Sequence, residues 1–566
     1  MTTLAEIMRR TAVEEPQKTA IIFQARGKPD QVITYEMLYR NALRYGKVLR
    51  EQGIQPDEVV IIVLQHSVDL IYAFFGAIFA GAVPSIMPFL TEKLSPEHYR
   101  KSLRSLFEVI QPAAVITYAE FEAEIQQAAQ NSSVRKILIT HHFSAIDSDI
   151  NALPGFRRDP TTIVLLQHSS GTTGLQKGVA LSHQAVLNQL NAYQKAIHLN
   201  TSDVIISWLP LYHDMGLIAG FLMPILLKVP LVLMSPFDWV RSPVLLMRAI
   251  HQYQGTLTWL PNFAYNFCAQ KIRPSDMEGV NLSSLRAVIN CSEPMMLSSH
   301  ERFLQRFKPY GLKASALATC YAMAENVFAV SQDGIDKPVT LDWIDRRGLL
   351  VEKVARPASQ GIDSMCMVSA GKPLENTQVQ IVDEKGNPLP ERVIGEIALK
   401  SDCMLSEYYK RPDLTQAAFL DGWYLTGDLG YLANGEVYIT GRKKDLIIVG
   451  GKNIYPQDIE RIAGEVEGVY PGRVVAFGVL NEDLGTEEVV VVAETEEVDP
   501  QRKLEISEQI CFQVNRSSDI VLRKAVLVER GWLLKTSSGK IARSANREKY
   551  LRKLQETGRG EDSTER

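Results

Sequence analysis

Short apolar runs rich in β-branched residues recur between helical patterns, and this alternation constrains the fold more than any other feature of the chain. The runs are VVIIVL at 59–64, AAVIT at 113–117, TIVLL at 162–166, VPLVLM at 229–234 and AVIN at 287–290. Each is short, continuous and uncharged, the pattern of a strand covered on both faces, and strands alternating with helices build βαβ units with mostly parallel sheets. After about residue 375 the texture changes: TQVQIVDEKGNPLP reads as a hairpin and EVYITGRKKDLIIVGG as two strands around a charged turn. A smaller β-rich part is thus followed by a final α+β unit. The polar turn from Gly441 to Asp445, flanked by apolar strands, places the domain boundary at Lys443 or Lys444.

Composition excludes several classes. The 566 residues are 46% hydrophobic and 22% charged, ordinary for a globular protein, and at about 100 to 200 residues per domain they fill about three or four compact units. With 61 Lys and Arg against 65 Asp and Glu the net charge is −4, so no global field draws nucleic acid. Six scattered cysteines without a C-x-x-C pair suggest neither a disulfide framework nor a zinc site. With no apolar leader in MTTLAEIMRRTAVEEP, a cytoplasmic location is expected. Leu70 to Leu90 is uncharged and long enough to span a bilayer, but Pro84 and Pro88 interrupt it and Gly76 and Gly81 dilute it. It reads as a buried helix followed by a buried strand, without stable membrane insertion. The closing ETGRGEDSTER is polar and reads as a disordered tail over 555–566.

The strongest local signal is HSSGTTGLQKG at 168–178, between the apolar strand TIVLL and the amphipathic SHQAVLNQLNAYQKA. Its hydroxyls, glycines and lysine can wrap phosphate oxygens, although no Ser or Thr follows the lysine as in the common nucleotide loop. It occurs in order with LPLYHDMGL (209–217), PNFAY (261–265), NCSEP (290–294), YAMAE (321–325), GWYLTGDLG (422–430), GRKKDLIIVGGKNIYPQDIE (441–460) and LKTSSGKIAR (534–543). This ordered set resembles the adenylate-forming superfamily of acyl-CoA synthetases, nonribosomal-peptide adenylation domains and luciferases, over about residues 5 to 545. PNFAY, the wording after GRKKD, and Ala324 where many relatives place threonine are most similar to fatty acyl-AMP ligases. The chain departs from the superfamily pattern in GLQKG, which lacks a proline before the lysine, in the leading His168, and in GGKN, which is less basic than usual.

The resemblance implies an α/β fold with a large N-terminal domain of two mostly parallel sheets plus a small β-rich subdomain over 1–443. It further implies a small mobile α+β C-terminal domain over 444–554 and a family-type insertion near 337–367. It implies ATP and Mg²⁺ as cofactors, with Ser169, Ser170, Gly171, Thr172, Thr173, Gly174 and Lys177 on the pyrophosphate and Glu325 on the metal. Asp428 and Arg442 correspond to the ribose contacts, Tyr321 to the residue stacked on adenine, and Ser292 and Glu293 to the adenine-side segment. Lys540 corresponds to the mobile lysine that reaches the acyl carboxylate and α-phosphate, and Lys444 to the hinge. His213, beside Asp214, suggests a proton relay, but an ionised carboxylate needs no base, so His213 reads as a pocket wall near the acyl carboxyl. Met215, Trp259, Asn262 and Phe263 line an acyl pocket in this reading, and core packing accounts for them about as well.

The implied reaction is ATP-dependent formation of a fatty acyl-adenylate, then acyl transfer to the phosphopantetheine thiol of a separate acyl carrier protein. The alternative is a fatty acyl-CoA synthetase, from which the 337–367 segment should distinguish it. A non-catalytic acyl or nucleotide sensor would be expected to lack reacting groups, yet Lys177, Glu325, Asp428 and Lys540 are all present. An amino-acid-adenylating enzyme would place an acid early in the pocket where Asn262 offers an amide.

Overall fold

The computed structural model describes residues 2–89, 96–140, 153–169, 177–361, 363–449, 452–481, 486–517, 521–522, 525–536 and 539–561. Its largest element is a nine-stranded sheet with the order Lys372–Pro373, Ala329–Asp333, Leu317–Ala322, Ala287–Cys291, Leu257–Leu260, Ile205–Ser207, Leu231–Met234, Thr19–Gln24 and Gln31–Thr34. The six strands from Leu317–Ala322 to Thr19–Gln24 are parallel, and antiparallel strands close both edges. A four-stranded parallel sheet is ordered Val83–Ile86, Val59–Ile62, Ala114–Thr117 and Lys136–Ile139. Val59–Ile62, Val83–Ile86 and Ala114–Thr117 are buried throughout, which is why their sequences are continuous apolar runs rather than alternating ones.

The uncharged 70–90 stretch begins in a helix, Val68–Phe79, capped by Ser67 and buried from Leu70 to Phe79, and continues into the strand Val83–Ile86. The glycine in that helix has a packing reason. A Cβ on Gly76 would lie 2.4 Å from Tyr45 Cβ and 2.8 Å from Ala42 O, so the helix Tyr35–Glu51 crosses it almost backbone to backbone. Among the described residues no helix is long and apolar enough to cross a membrane.

Two local readings hold. Thr377–Val382 folds back on the residues just after it, with an antiparallel bridge between Val382 and Pro388 and Leu389 N donating to Ile381 O at 2.8 Å, and it also pairs antiparallel with Gly395–Ser401 within a five-stranded sheet. Asp383 holds the turn: its Oδ1 accepts from the backbone of Lys385 and Asn387. Strands flank the charged turn as well, each paired with another strand: Glu436–Arg442 with Trp423–Ala433, and Ile447–Val449 with Lys452–Ile454. From Ile447 onward the chain builds its own apolar core on the helices Pro456–Gly464 and Pro500–Ser517 and the sheet Val474–Asn481, Thr486–Thr495 and Ala525–Glu529. The last helix runs from Arg543 to Glu561, into the segment read as disordered: Arg, Glu, Lys, Leu and Gln favour it up to Glu556, and it continues over Gly558 and Gly560 although glycine disfavours a helix; residues 562–566 lie outside the described residues.

The segment 337–367 forms the antiparallel pair Leu341–Asp345 and Ser364–Val368. Ile344, Leu349, Leu350 and Ala355 pack with Ile394, Tyr431 and Tyr438 of the β-rich part and with Tyr455 beyond the charged turn. Asp342 Oδ2 accepts from Arg392 Nη1 at 3.0 Å and from Tyr431 Oη at 2.8 Å.

Replacing Gly76 with alanine is expected to force the crossing helices apart at a cost of about 1–3 kcal/mol. In thermal unfolding the midpoint falls, whereas Gly464→Ala, whose new Cβ meets nothing closer than Val474 Cγ2 at 3.8 Å, leaves it within error. Equal midpoints for both variants would show that the crossing tolerates separation.

Candidate active site

The functional residues gather at the carboxyl edge of the nine-stranded sheet, the edge at which open α/β sheets bind ligands. Asp428 lies on Trp423–Ala433 directly across from Arg442, so the antiparallel register alone brings acid and base together. Arg442 Nε donates to Asp428 Oδ1 at 3.0 Å, and Tyr321 Oη donates to Asp428 Oδ2 at 2.7 Å. The Asp428 charge strengthens the basicity of Arg442, and burial raises the phenol pKa of Tyr321. Tyr321, at the end of Leu317–Ala322, is therefore fixed through its hydroxyl as well as its ring.

Glu325 sits in the short turn Ala324–Asn326. The next residue but one, Val327, has φ +62° and ψ −55°, and Phe328 N donates to Asn326 O at 2.6 Å: a tight γ-turn that a β-branched residue adopts only under strain. Gln167 Nε2 holds the Val327 carbonyl at 3.2 Å and Asn326 Nδ2 donates to Ala329 O at 2.8 Å, so neighbours fix the strained bend. Glu325 Oε1 accepts from Tyr408 Oη at 2.9 Å, and that hydroxyl meets Tyr424 Oη at 2.8 Å. Burial raises the Glu325 carboxyl pKa, and the nearby Asp214 charge pushes the same way. Lys177 Nζ stands 4.6 Å from the Tyr408 ring centroid, which brings the lysine to the same corner as Glu325.

Lys177 begins the strand Lys177–Ser182, paired antiparallel with Ile163–Ser169. The glycine-rich segment thus joins two strands, and the helix His183–Ala196 starts only afterwards, under a Ser182 cap. Ser169 ends the first strand; Ser170, Gly171, Thr172, Thr173 and Gly174 lie outside the described residues.

Lys540 is held by its own loop: its amide donates to Thr536 Oγ1 at 3.2 Å and its carbonyl accepts from Thr536 N at 2.8 Å. Burial and the Arg442 charge lower its pKa, while Asp214 and Glu293 oppose the shift. The lysine of the last motif therefore lies among residues of three other motifs. His213 Nδ1 stands 2.5 Å from Asp214 Oδ1, and Asp214 also accepts from Met215 N at 2.8 Å. Burial opposes ionisation of Asp214, but His213, Lys540 and that backbone bond together lower its pKa. Met215 opens a wide-turned helix, Met215–Leu222, in which a Cβ on Gly216 would lie 2.2 Å from Pro210 O. The spacing of Gly216 and Gly220 in an otherwise apolar run was the available signal for that element.

The pocket residues divide. Phe263 is 39% exposed, and Met215 is buried. Trp259 is sealed in the sheet and donates to Tyr193 Oη at 2.9 Å. The Asn262 amide ties helices together, accepting from Asn290 Nδ2 at 3.0 Å and Met296 N at 3.3 Å and donating to Ser299 Oγ at 3.1 Å. Ser292 takes φ +71°, and Glu293 reaches sideways to accept from Phe263 N at 2.8 Å, capping the helix Asn262–Lys271 from another segment.

At the charged turn, Lys443 Nζ donates to Glu396 Oε2 at 2.9 Å, anchoring it to the β-rich part. Arg543 donates to Asp445 Oδ2 at 2.5 Å and to both oxygens of Glu460 at 2.9 Å, anchoring the other side to the last unit. Lys444 is the residue between these two anchors. Sequence reading missed Tyr408, which lies in no motif, and gave no role to Tyr424 or Arg543, although both lie inside motifs, GWYLTGDLG and LKTSSGKIAR.

A model of the AMP-binding enzyme family matches residues 8–409, and the chain belongs to that family. It is 30% identical to a 4-hydroxyphenylalkanoate adenylyltransferase of Mycobacterium tuberculosis over 579 residues, covering 97% of this chain and 91% of that protein. It is 29% identical to a long-chain-fatty-acid–AMP ligase of Mycobacterium bovis over 577 residues, covering 96% of each. A solved structure from a study of fatty acyl-adenylate ligases of E. coli and L. pneumophila superposes with a TM-score of 0.90 at 27% identity, covering 98% of both chains. The family uses ATP with Mg²⁺. Glu325 is compatible with that pair: a buried carboxylate offers the hard oxygen that Mg²⁺ takes, and Lys177 stands at the same corner.

Lys540→Ala is expected to lower the rate of adenylate formation by about 10²–10³ with little change in ATP affinity, since its contact forms as charge develops on the phosphate. In the parent protein the rate falls on the acid side above the 4.5 of an ordinary glutamate, as Glu325 takes up a proton, and on the alkaline side below the 10.5 of an ordinary lysine. Pyrophosphate release across pH measures both limbs; an alkaline limb that persists in Lys540→Ala removes Lys540 from that role.

Proposed function

We propose that this AMP-binding enzyme converts a fatty acid and ATP to acyl-adenylate and pyrophosphate, then passes the acyl group to the phosphopantetheine thiol of a separate acyl carrier protein. The observation that carries the first step is the placement of Lys540 where the charges of Asp214, Glu293 and Arg442 all act on it, because this brings the lysine of the last motif to residues of three others. The substrate carboxylate attacks the α-phosphorus and the bond to pyrophosphate breaks. Asp428 and Arg442 orient the ribose, Lys177 and the glycine-rich segment draw off the leaving charge, and Lys540 bridges the attacking carboxylate and the α-phosphate. Mg²⁺ on Glu325 would neutralise phosphate charge. In the second step the thiol adds to the acyl carbonyl and AMP departs.

The hinge reading assigns the exchange between steps to Lys444, pivoting between the Lys443–Glu396 and Asp445–Arg543 anchors. The carrier as acceptor is supported by the 337–367 segment. It is packed into a shared apolar cluster with Tyr431, Tyr438 and Tyr455, whereas a loose surface loop would bury little. The likeness to fatty acyl-adenylate ligases supports the same reading, and the 4-hydroxyphenylalkanoate adenylyltransferase widens the range of acids to be tried.

The test is a product assay with ATP, Mg²⁺ and a panel of labelled acids, run with CoA, with a phosphopantetheinylated carrier, and with neither. Acyl-AMP that moves to the carrier and not to CoA is expected; acyl-CoA would overturn the choice of acceptor. Asp342→Ala, which takes the acceptor from both Arg392 and Tyr431, is expected to keep adenylation and admit some CoA acylation. A folded, adenylating variant that still ignores CoA would remove the docked segment from acceptor choice.

A further inference from the structure

The strand Glu407–Tyr408 belongs to no motif, yet the stretch around it is stitched to two parts of the nucleotide site at once. Leu405 N donates to Glu325 O at 2.8 Å. Ser406 N donates to Ala180 O at 2.8 Å and Tyr409 N to Gly178 O at 2.7 Å, so the same stretch runs antiparallel beside Lys177–Ser182, with Tyr408 across from Val179. Residues 405–409 therefore tie the turn that carries Glu325 to the strand that begins with Lys177.

The side chain of Tyr408 repeats that bridge. Its hydroxyl donates to Glu325 Oε1 at 2.9 Å, and its ring centroid lies 4.6 Å from Lys177 Nζ. Tyr408 is itself buried, whereas Glu325 and Lys177 are half-buried and reach the site. A carboxylate accepts and cannot donate, so the single phenolic proton of Tyr408 is committed to Glu325. At the 2.8 Å contact with Tyr424 it is then Tyr408 that accepts. The chain runs one way, from Tyr424 Oη to Tyr408 Oη to Glu325 Oε1, and each bond polarises the next. Tyr424 stands on Trp423–Ala433, the strand of Asp428, with its ring edge-on to Phe419 at 5.4 Å. At the other end, a ring face attracts the Lys177 ammonium without neutralising it, as a carboxylate would, and the charge is kept for phosphate.

We infer that Tyr408 is a positioning residue for adenylation: one hydroxyl and one ring face set the Glu325 carboxylate and the Lys177 ammonium at a fixed spacing, and Tyr424 keeps that hydroxyl aimed. The inference rests on the roles given above to Glu325 and Lys177.

The experiment is calorimetric titration of the full-length protein with ATP, in EDTA and in Mg²⁺, with no acid present, so that binding is read apart from turnover. Tyr408→Phe keeps the ring and deletes the hydroxyl. The gain in ATP affinity that Mg²⁺ confers is expected to fall by about tenfold, the equivalent of one hydrogen bond to a charged group, with affinity in EDTA unchanged. Tyr408→Leu also takes the ring from Lys177 and is expected to weaken binding in EDTA by about threefold as well. Tyr424→Phe is expected to show the Tyr408→Phe pattern at smaller size. In a Glu325→Ala background, Tyr408→Phe is expected to have no further effect on the Mg²⁺ gain. A folded Tyr408→Phe protein that keeps the parent's Mg²⁺ gain overturns the inference. So does an equal loss of affinity in EDTA and in Mg²⁺, which is the mark of a packing role alone. Should Tyr408→Phe not fold, Tyr424→Phe carries the same decision, since an equal loss under both conditions, or none, overturns the inference. A Mg²⁺ gain that survives in Glu325→Ala overturns the inference together with the metal role beneath it, whereas a gain lost in Glu325→Ala and kept in Tyr408→Phe overturns the inference alone.

Discussion

The carboxylate of Asp428 is the joint on which the site is built. It receives Tyr321 from the large parallel sheet and Arg442 from the neighbouring strand of its own sheet, so two sheets acquire one geometry. A buried carboxylate is expensive unless its oxygens are occupied and a cation stands by, and both conditions are met here by protein groups before any ligand enters. The cost of that arrangement is that Arg442 is held at the very end of its strand, one residue before Lys443. The charged turn therefore begins directly at the Asp428–Arg442 pair.

Opposite perturbations meet a few residues away. Burial raises the pKa of Glu325 and lowers that of Lys540, so each group is moved towards its neutral form by the same exclusion of water. Both are groups whose charge would be matched by phosphate and metal. A site that is electrostatically unsatisfied in isolation has most to gain from the charges of a bound nucleotide, and this is preorganisation for a charged ligand rather than for the resting protein.

Much of the fold was legible in the sequence, because short fully buried strands are dictated locally. The strands at 59–64, 229–234 and 287–290 and the helix inside the uncharged stretch follow from periodicity alone. What escaped was set by distant partners. That the glycine-rich segment lies between two antiparallel strands depends on Lys177–Ser182 finding Ile163–Ser169, and a six-residue run leaves strand and helix entry indistinguishable. Asn262 looks like a pocket residue until Asn290, Ser299 and the Met296 amide claim it, and Trp259 until Tyr193 does. The strained bend at Val327 has no sequence signature, since a valine with positive φ is what local rules advise against.

The contact between Arg543 and Asp445 joins residues 98 positions apart, and it lies where the final unit starts and where its last helix begins. The clasp ties the start of the unit to the start of its last helix, while Tyr455 keeps the unit packed against the β-rich part. A graft of this unit that keeps the arginine and both of its acids therefore carries the clasp with it, but has still to match the apolar seat of Tyr455.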